Sequence, residues 1–164
     1  MRYAAVAIVI VNGNILLIRR SYNLHDRWAG HIAFPGGHYK AGLDRDLLDT
    51  ALREVHEEIG INLSELKFKL YPLSPVRSKS NPDLIVCPYL MKIQRLPRTK
   101  LSNEVDRVYW IHIRDLSKDK RIIRGEGREV YTCNIDGEEI IIWGLTKRII
   151  DELIEVLHIV AYST

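Results

Sequence analysis

With 164 residues, 46% of them hydrophobic and 27% charged, the chain has the size and balance of one globular domain, not of a disordered or fibrous protein. Its net charge of +3 suits a phosphate-bearing small molecule but does not call for nucleic acid. The apolar run AAVAIVIV (4–11) is far short of the roughly 20 residues of a membrane-spanning helix, and Cys87 and Cys133 fit buried thiols of a cytoplasmic protein better than a disulfide framework.

That run and ILLIRR (15–20) flank Asn12-Gly13, a pair suited to the positive φ angles of a type I′ turn, and together they predict a β-hairpin. HIAF (31–34) reads as a short strand halted by a glycine turn at Pro35-Gly36-Gly37. Leu47, Leu48, Ala51, Leu52, Val55 and Ile59 recur at helical spacing; Asp44 or Asp46 can cap the start and Gly60 ends the helix. Strands are expected at 66–72, 84–93 and 105–111, with Pro88 placing the second of them at an edge or a bulge. KDKRIIRGEGR (118–128), rich in cations and glycine, reads as a mobile solvated loop. TCNIDGEEIIIW (132–143) predicts a second hairpin turning at Asp136-Gly137. Leu145, Ile149, Leu153 and Leu157, four apart, give a final helix that clads a core. With no repeat, linker or low-complexity tract, residues 1–164 read as a single domain, an α/β (α+β) sandwich with a mixed sheet and a helix on each side.

The chemistry concentrates in REVHEEIGI (53–61). Glu54, Glu57 and Glu58 stand at i, i+3 and i+4, so a helix puts all three carboxylates on one face, where each like-charge pair costs roughly 0.2–0.5 kcal/mol. Arg53 is the only cation among them, and Arg ahead of Glu is the poorer order for an i,i+4 pair. An exposed acidic face is the bland explanation; a bound cation supplying the missing counter-charge is the sharp one. Glycine lets the backbone approach a ligand closely, so a carbonyl from Gly37 with Glu54, Glu57 and Glu58 would make an all-oxygen site. Such a site suits Mg²⁺, a hard ion that keeps waters and takes phosphate oxygens of a substrate as further ligands. The six histidines are scattered and offer no zinc cluster; His56, between the acids, faces solvent.

GG…REVHEEIGI resembles the Nudix box, the loop–helix–loop of hydrolases that cleave a nucleoside diphosphate linked to another group. Its C-terminal part, R-E-(apolar)-x-E-E-x-G-(apolar), is matched at every position from Arg53 to Ile61. Where the box usually carries a glutamate before the arginine, this chain has Arg45; the neighbouring Asp44 is available as the ion-pair partner of Arg53. LLIRRSYNLHDRWAGHIAFPGG (16–37) resembles the segment upstream of the box in the coenzyme A pyrophosphatase subgroup. Arg20-Ser21, Gly30 and Phe34 to Gly37 fit that pattern, Arg27 stands one place out of register, and Trp28 takes the place of a histidine. EVDRVYWIHIRDL (104–116) and IWGLTKRII (142–150) resemble later segments, so the likeness covers most of the chain.

The resemblance implies a Nudix-type α/β/α sandwich and a pyrophosphohydrolase that uses Mg²⁺, with Mn²⁺ as a substitute. Gly37, Glu54, Glu57 and Glu58 would hold the metal, and Glu54, Arg53 and Glu57 would form the catalytic set, Arg53 orienting a carboxylate. The general base would be a glutamate of the box, such as Glu54, or an acid from another loop, with Glu126, Glu138 and Glu139 as unranked candidates. Arg20, Arg27 and Phe34 would meet the substrate, although Phe34 and Trp143 also read as core aromatics. Coenzyme A, cleaved to 3′,5′-ADP and 4′-phosphopantetheine, is the expected substrate. ADP-ribose, dinucleoside polyphosphates and oxidised dNTPs are alternatives, as are a prenyl-diphosphate isomerase and a non-catalytic nucleotide-binding module. The implied protein acts in the cytoplasm on a nucleotide-type small molecule, without nucleic acid or membrane; a homodimer is compatible with a sequence that carries no signal for oligomeric state.

Overall fold

The computed structural model describes residues 1–23 and 25–163, with side chains through His158. Strands β1 (Arg2–Val11) and β2 (Asn14–Arg20) form the expected hairpin, with Asn12 at φ 49° and Gly13 at φ 83°. The two strands share register only beside the turn, at Ile10–Ile15 and Val11–Asn14, and then diverge. Two short strands fill the opening: β3 (Ile32–Ala33) pairs with β2, and β4 (Gly36–His38) pairs antiparallel with β1. The glycine turn expected at Pro35-Gly36-Gly37 is therefore corrected: Gly36 and Gly37 are strand residues facing Val6 and Ala5.

The other edge of β1 runs parallel to β7 (Leu84–Lys92), register Arg2–Leu84 to Ile10–Lys92. Beyond β7 lie β5 (Lys69–Pro72) and β6 (Val76–Arg77), and β8 (Val105–His112) pairs along β2, which completes a mixed sheet of eight strands. Pro88 is thus neither at an edge nor at a bulge. Its carbonyl accepts from Leu73 N–H, and N and C=O of one strand residue point the same way. The missing N–H therefore falls toward the break between β5 and β6, where no partner needs it. The expected strand at 66–72 is likewise shortened, since β5 begins only at Lys69.

Both faces of this sheet are buried, which explains the continuous apolar run of β1. Ala5, Ala7, Val9 and Val11 point one way with Leu16, Ile18 and Met91, and helix α1 (Leu47–Ile59) covers them with Ala51, Val55 and Ile59. Ala4, Ile8 and Ile10 point the other way with Ile15, Leu17 and Ile111. That face is covered by helix α2 (Gly144–Ser163), through Ile149, Ile150 and Leu153, and by a second sheet. The second sheet is antiparallel, in the order β11 (Glu138–Ile142), β10 (Glu126–Ile135), β9 (Ser117–Ile123). Its β10–β11 turn at Asp136-Gly137 is the predicted one, but the solvated loop expected at 118–128 is a β-hairpin, turning at Arg124-Gly125. Among the described residues no helix is long and apolar enough to cross a membrane. Cys87 in β7 and Cys133 in β10 are free thiols, half-buried and not fully buried.

Candidate active site

Helix α1 is defined at both ends. Asp46, not Asp44, is the N-cap, its side chain accepting from Asp49 N–H, and Gly60 at φ 74° closes the C-terminus. The apolar stripe sets the rotation of the helix on β1 and thereby sends Glu58 inward toward β4. Glu58 is 4% exposed, and its Oε1 accepts from Gly36 N–H at 3.0 Å. Gly37 is packed against Glu54: a Cβ at that position would stand 2.4 Å from Glu54 Oε1. Glu57, on the outer side of the same face, is exposed, and His56 faces solvent as expected.

Arg53 is the hub. Its Nε and Nη2 meet Asp44 Oδ1 and Oδ2 at 2.7 and 2.9 Å, a two-pronged contact that fixes the guanidinium plane. Nη2 also donates to His38 O at 3.1 Å, while Nη1 donates to Glu54 Oε1 at 2.9 Å and reaches Glu57 Oε2 at 3.3 Å. Asp44 is itself secured by Thr50 Oγ1 at 2.9 Å and Lys40 N–H at 3.0 Å. One cation thus joins the loop ahead of the helix, the end of β4 and two of the acids.

The electrostatics separate the carboxyls. The Arg53 hydrogen bonds hold Asp44 well below the usual carboxylate range. Burial raises Glu54, against the pull of Arg53. Burial pushes Glu58 up to about 8 despite the hydrogen bond from Gly36, with the charges of Glu54 and Glu104 adding to the rise. Glu104, on the loop that enters β8, is an acid missed by sequence reasoning; that loop is tied to the end of α1 by Ser102 N–H donating to Glu58 O at 2.9 Å and Lys100 N–H to Ile59 O at 2.8 Å. The loop acids considered for the general base are occupied elsewhere. Glu138 accepts from Arg19, Arg107 and Tyr109, Glu139 from Arg121 at 2.6 Å, and Glu126 from Arg128. The Arg121 hydrogen bond lowers the Glu139 pKa, which weakens it as a proton acceptor.

Among the described residues no three His, Cys, Asp or Glu side chains converge as a metal site would. Arg53 draws Glu54 and Glu57 to itself while Glu58 turns to Gly36. The residues nevertheless fit a hard divalent ion: the donors are all oxygen, Glu54 and Glu58 are partly desolvated carboxyls, and Gly37 gives Glu54 room that any Cβ would remove.

The residues expected to meet substrate fall in three places. Phe34, just past β3, is 4% exposed and belongs to the core cluster that α2 covers. Arg20 pairs with Asp26 at 2.6 Å, and its charge is felt by both Glu58 and His31. Arg27 belongs to a separate cluster, lying over the Trp28 ring at 4.8 Å. Trp143, read as a core aromatic, is half-exposed and joins that cluster with its ring centroid 6.0 Å from Trp28. A concavity of about 720 Å³ opens elsewhere, between β9, β10 and α2, and none of the acids of α1 lines it. Lys147 there is already neutralised by Asp151 at 2.7 Å and Glu129 at 3.7 Å, so it offers little charge to a ligand.

Comparison with known proteins bears on the family. The family model of the NUDIX domain matches residues 1–131. A Nudix hydrolase named NudL from Yersinia enterocolitica is 34% identical over 178 aligned positions, covering 96% of this chain and 82% of its own. The peroxisomal coenzyme A diphosphatase ndx-8 of Caenorhabditis elegans is 30% identical over 64% of this chain, but that match spans only 44% of the relative. Among solved structures, a NUDIX hydrolase from Alicyclobacillus acidocaldarius superposes with a TM-score of 0.58, covering 70% of this chain and 80% of the other at 22% identity, a likeness of fold. A braced Arg53, acids packed against a glycine strand and a family model that spans most of the sequence lead to one assignment: the chain belongs to the Nudix family of hydrolases.

Proposed function

We propose that residues 1–164 act as one divalent-metal-dependent pyrophosphohydrolase, with coenzyme A as substrate and 3′,5′-ADP and 4′-phosphopantetheine as products. The observation that carries the hydrolytic part is the contrast between a braced Arg53 and the partly desolvated Glu54 and Glu58 beside Gly36 and Gly37. Glu54, Glu57, Glu58 and Gly37 would hold Mg²⁺, for which Mn²⁺ can substitute. When bound, the ion supplies Lewis-acid polarisation of the phosphoryl oxygens and neutralises charge on the departing phosphate.

Arg53 fixes Glu54 through the 2.9 Å contact, so that one carboxylate oxygen stays in a constant orientation. Glu54 is the preferred proton acceptor: burial raises its pKa, which favours taking a proton from the attacking water near neutral pH. The water oxygen bonds to one phosphorus, its proton passes to Glu54, and the bond from that phosphorus to the bridging oxygen breaks. Arg20, within electrostatic reach of Glu58, would draw the pyrophosphate toward the acids.

The coenzyme A reading is supported by the segment 16–37, by the similarity to the coenzyme A diphosphatase and by the cations Arg27 in that segment and Arg124 and Arg128 in the β9–β10 hairpin. Free thiols in both cysteines suit a cytoplasmic enzyme. The test is a panel of coenzyme A, ADP-ribose, dinucleoside polyphosphates and oxidised dNTPs, with and without Mg²⁺. Coenzyme A should be cleaved fastest and only with metal. Faster cleavage of ADP-ribose or an oxidised dNTP would overturn the coenzyme A assignment and leave the pyrophosphohydrolase standing.

A further inference from the structure

Away from the acids, three arginines gather on two tryptophans. Trp28 and Trp143 lie 6.0 Å apart, and His31 bridges them, 5.3 Å from Trp28 and 4.8 Å from Trp143. Arg27 lies over Trp28 at 4.8 Å, Arg124 over Trp28 at 5.0 Å and over Trp143 at 5.3 Å, and Arg128 over Trp143 at 5.2 Å. Each guanidinium carbon thus lies within cation–π reach of an indole, and of the five N–H donors a guanidinium carries, Arg124 gives one to Arg27 O and Arg128 one to Glu126 Oε2 at 3.0 Å. Like charges so close repel, and little on the protein offsets them. Among the described residues neither Arg27 nor Arg124 forms an ion pair with a carboxylate, and the partner of Arg128, Glu126, is largely exposed. Arg128 Nε is buried with no hydrogen-bond partner among the described residues. His31 adds no positive charge at neutral pH, because burial and the charges of Arg124 and Arg20 lower its pKa to about 4.

The backbone at the hairpin tip gives an independent sign. Three described residues other than glycine have positive φ: Asn12, Arg124 and Asp136. Asn and Asp tolerate the left-handed region; Arg has no such advantage, so its presence at φ 51° in the β9–β10 turn is explained by where the side chain goes. It goes across to the other loop, where Nη2 donates to Arg27 O and the guanidinium sits against both tryptophans. The cluster is also close in chain terms to the acids. His31 is followed directly by β3 and then by Gly36, which binds Glu58, and five residues span at most roughly 18 Å.

We propose that Arg27, Arg124 and Arg128, gathered on Trp28 and Trp143, form a receptor for a phosphate monoester that the substrate carries in addition to its pyrophosphate. A phosphate dianion supplies the charge that the cluster lacks and accepts paired hydrogen bonds from the guanidinium edges. The inference deepens the coenzyme A reading and rests on it for the natural ligand, whose 3′-phosphate is such a group. The β9–β10 hairpin then serves as a specificity element, not a solvated excursion.

The test uses the full chain without metal and reads tryptophan fluorescence, since two of the three tryptophans lie in the cluster and Trp110 is on β8. Adenosine 3′,5′-bisphosphate should bind at least tenfold more tightly than 5′-AMP, from which it differs by one 3′-phosphate, with a change in emission that W110F retains and W28F reduces. R124A and R128A, confirmed as folded by circular dichroism, should bring that preference close to unity. Inorganic phosphate at matched ionic strength should compete only at tenfold or higher concentration. Competition at equal concentration would assign the cluster to free phosphate and overturn its role toward substrate. An unchanged preference in both arginine variants, or no preference in the wild type, would overturn the receptor outright. Hydrolysis is scored separately. Preferential binding without cleavage of coenzyme A keeps the receptor and removes the substrate reading; cleavage with a coenzyme A over dephospho-coenzyme A ratio untouched by R124A does the reverse.

Discussion

Asp44 and Arg53 face each other fork to fork, with Nε–Oδ1 and Nη2–Oδ2 contacts of 2.7 and 2.9 Å and side chains 2% and 13% exposed. Paired contacts fix both the position and the plane of the guanidinium, and the remaining nitrogen is thereby aimed at Glu54. A lysine ammonium is a point donor and cannot hold Asp44, His38 and Glu54 in that arrangement at once. Arg53→Lys should therefore fold but lose one to two orders of magnitude in kcat, with KM little changed, because Arg53 acts through Glu54. Arg53→Ala should lose more activity and also destabilise the fold by roughly 3–5 kcal/mol, since it strands a buried carboxylate. Steady-state kinetics with thermal melts separate the two effects; a lysine variant with wild-type kcat would show that the fork has no positioning role.

The same pair gives the protein an acid limit. The folded pKa of Asp44 is depressed, so the pair stabilises the fold above the unfolded value of 3.8, and that contribution is lost as pH falls below it. Asp44→Asn keeps the shape and gives up the charge. Its melting temperature should fall well below wild type at pH 6–7, and the gap should shrink steadily below pH 4. A gap that is constant from pH 7 to pH 3 would mean that the stabilisation is not ionic.

How much of this was legible beforehand depended on whether a signal was local. Helix α1 was readable because its cap, its apolar period and Gly60 are all written within one stretch, and the hairpin turns because Asn-Gly and Asp-Gly encode positive φ. The pairing of Asp44 with Arg53 was within reach as well, since both lie on the same loop and helix. Strand β9 was not. Its residues are almost all polar and exposed, so no alternation marks it, and it is a strand because β10 supplies its hydrogen bonds. Pro88 misled for a similar reason, as the gap it occupies is created by β5 and β6. Glu104 and the cluster of Arg124, Arg128 and Trp143 depend wholly on long-range pairing, for which a single sequence holds no code.

Glu58 should report its burial directly. Its folded pKa, about 8, lies above the 4.5 of an unfolded glutamate, so in the metal-free protein the charged form weakens the fold progressively from about pH 5 to pH 8 and above. Glu58→Gln cannot ionise and keeps an oxygen for Gly36 N–H. In EDTA the variant should melt no lower than wild type at pH 5.5 and clearly higher at pH 8.5, while hydrolysis with Mg²⁺ is abolished. A variant that melts lower at both pH values would show that the carboxylate is already neutralised within the protein, and the case for a cation there would fall with it.

Neighbouring glycines should fail in opposite ways when a methyl group is added. At Gly36 a Cβ would meet Ala5 O at 2.3 Å and Val6 Cα at 2.8 Å, backbone atoms of the central strand that cannot move without parting β4 from β1. Gly36→Ala should therefore cost stability, on the order of 1–3 kcal/mol as in other overpacked sites, and should disturb Glu58 as β4 shifts. At Gly37 the obstacle is the Glu54 carboxyl, 2.4 Å from the added atom, and a side chain can turn away. Gly37→Ala should melt within a degree or two of wild type yet lose most of its turnover, because Glu54 is driven off the position that Arg53 holds. Melting curves and kcat for the two variants, measured together, give four numbers that the geometry ranks in advance. A Gly37→Ala protein that keeps wild-type kcat would show that the placement of Glu54 beside β4 has no part in the reaction, and the general base would then be sought at Glu104.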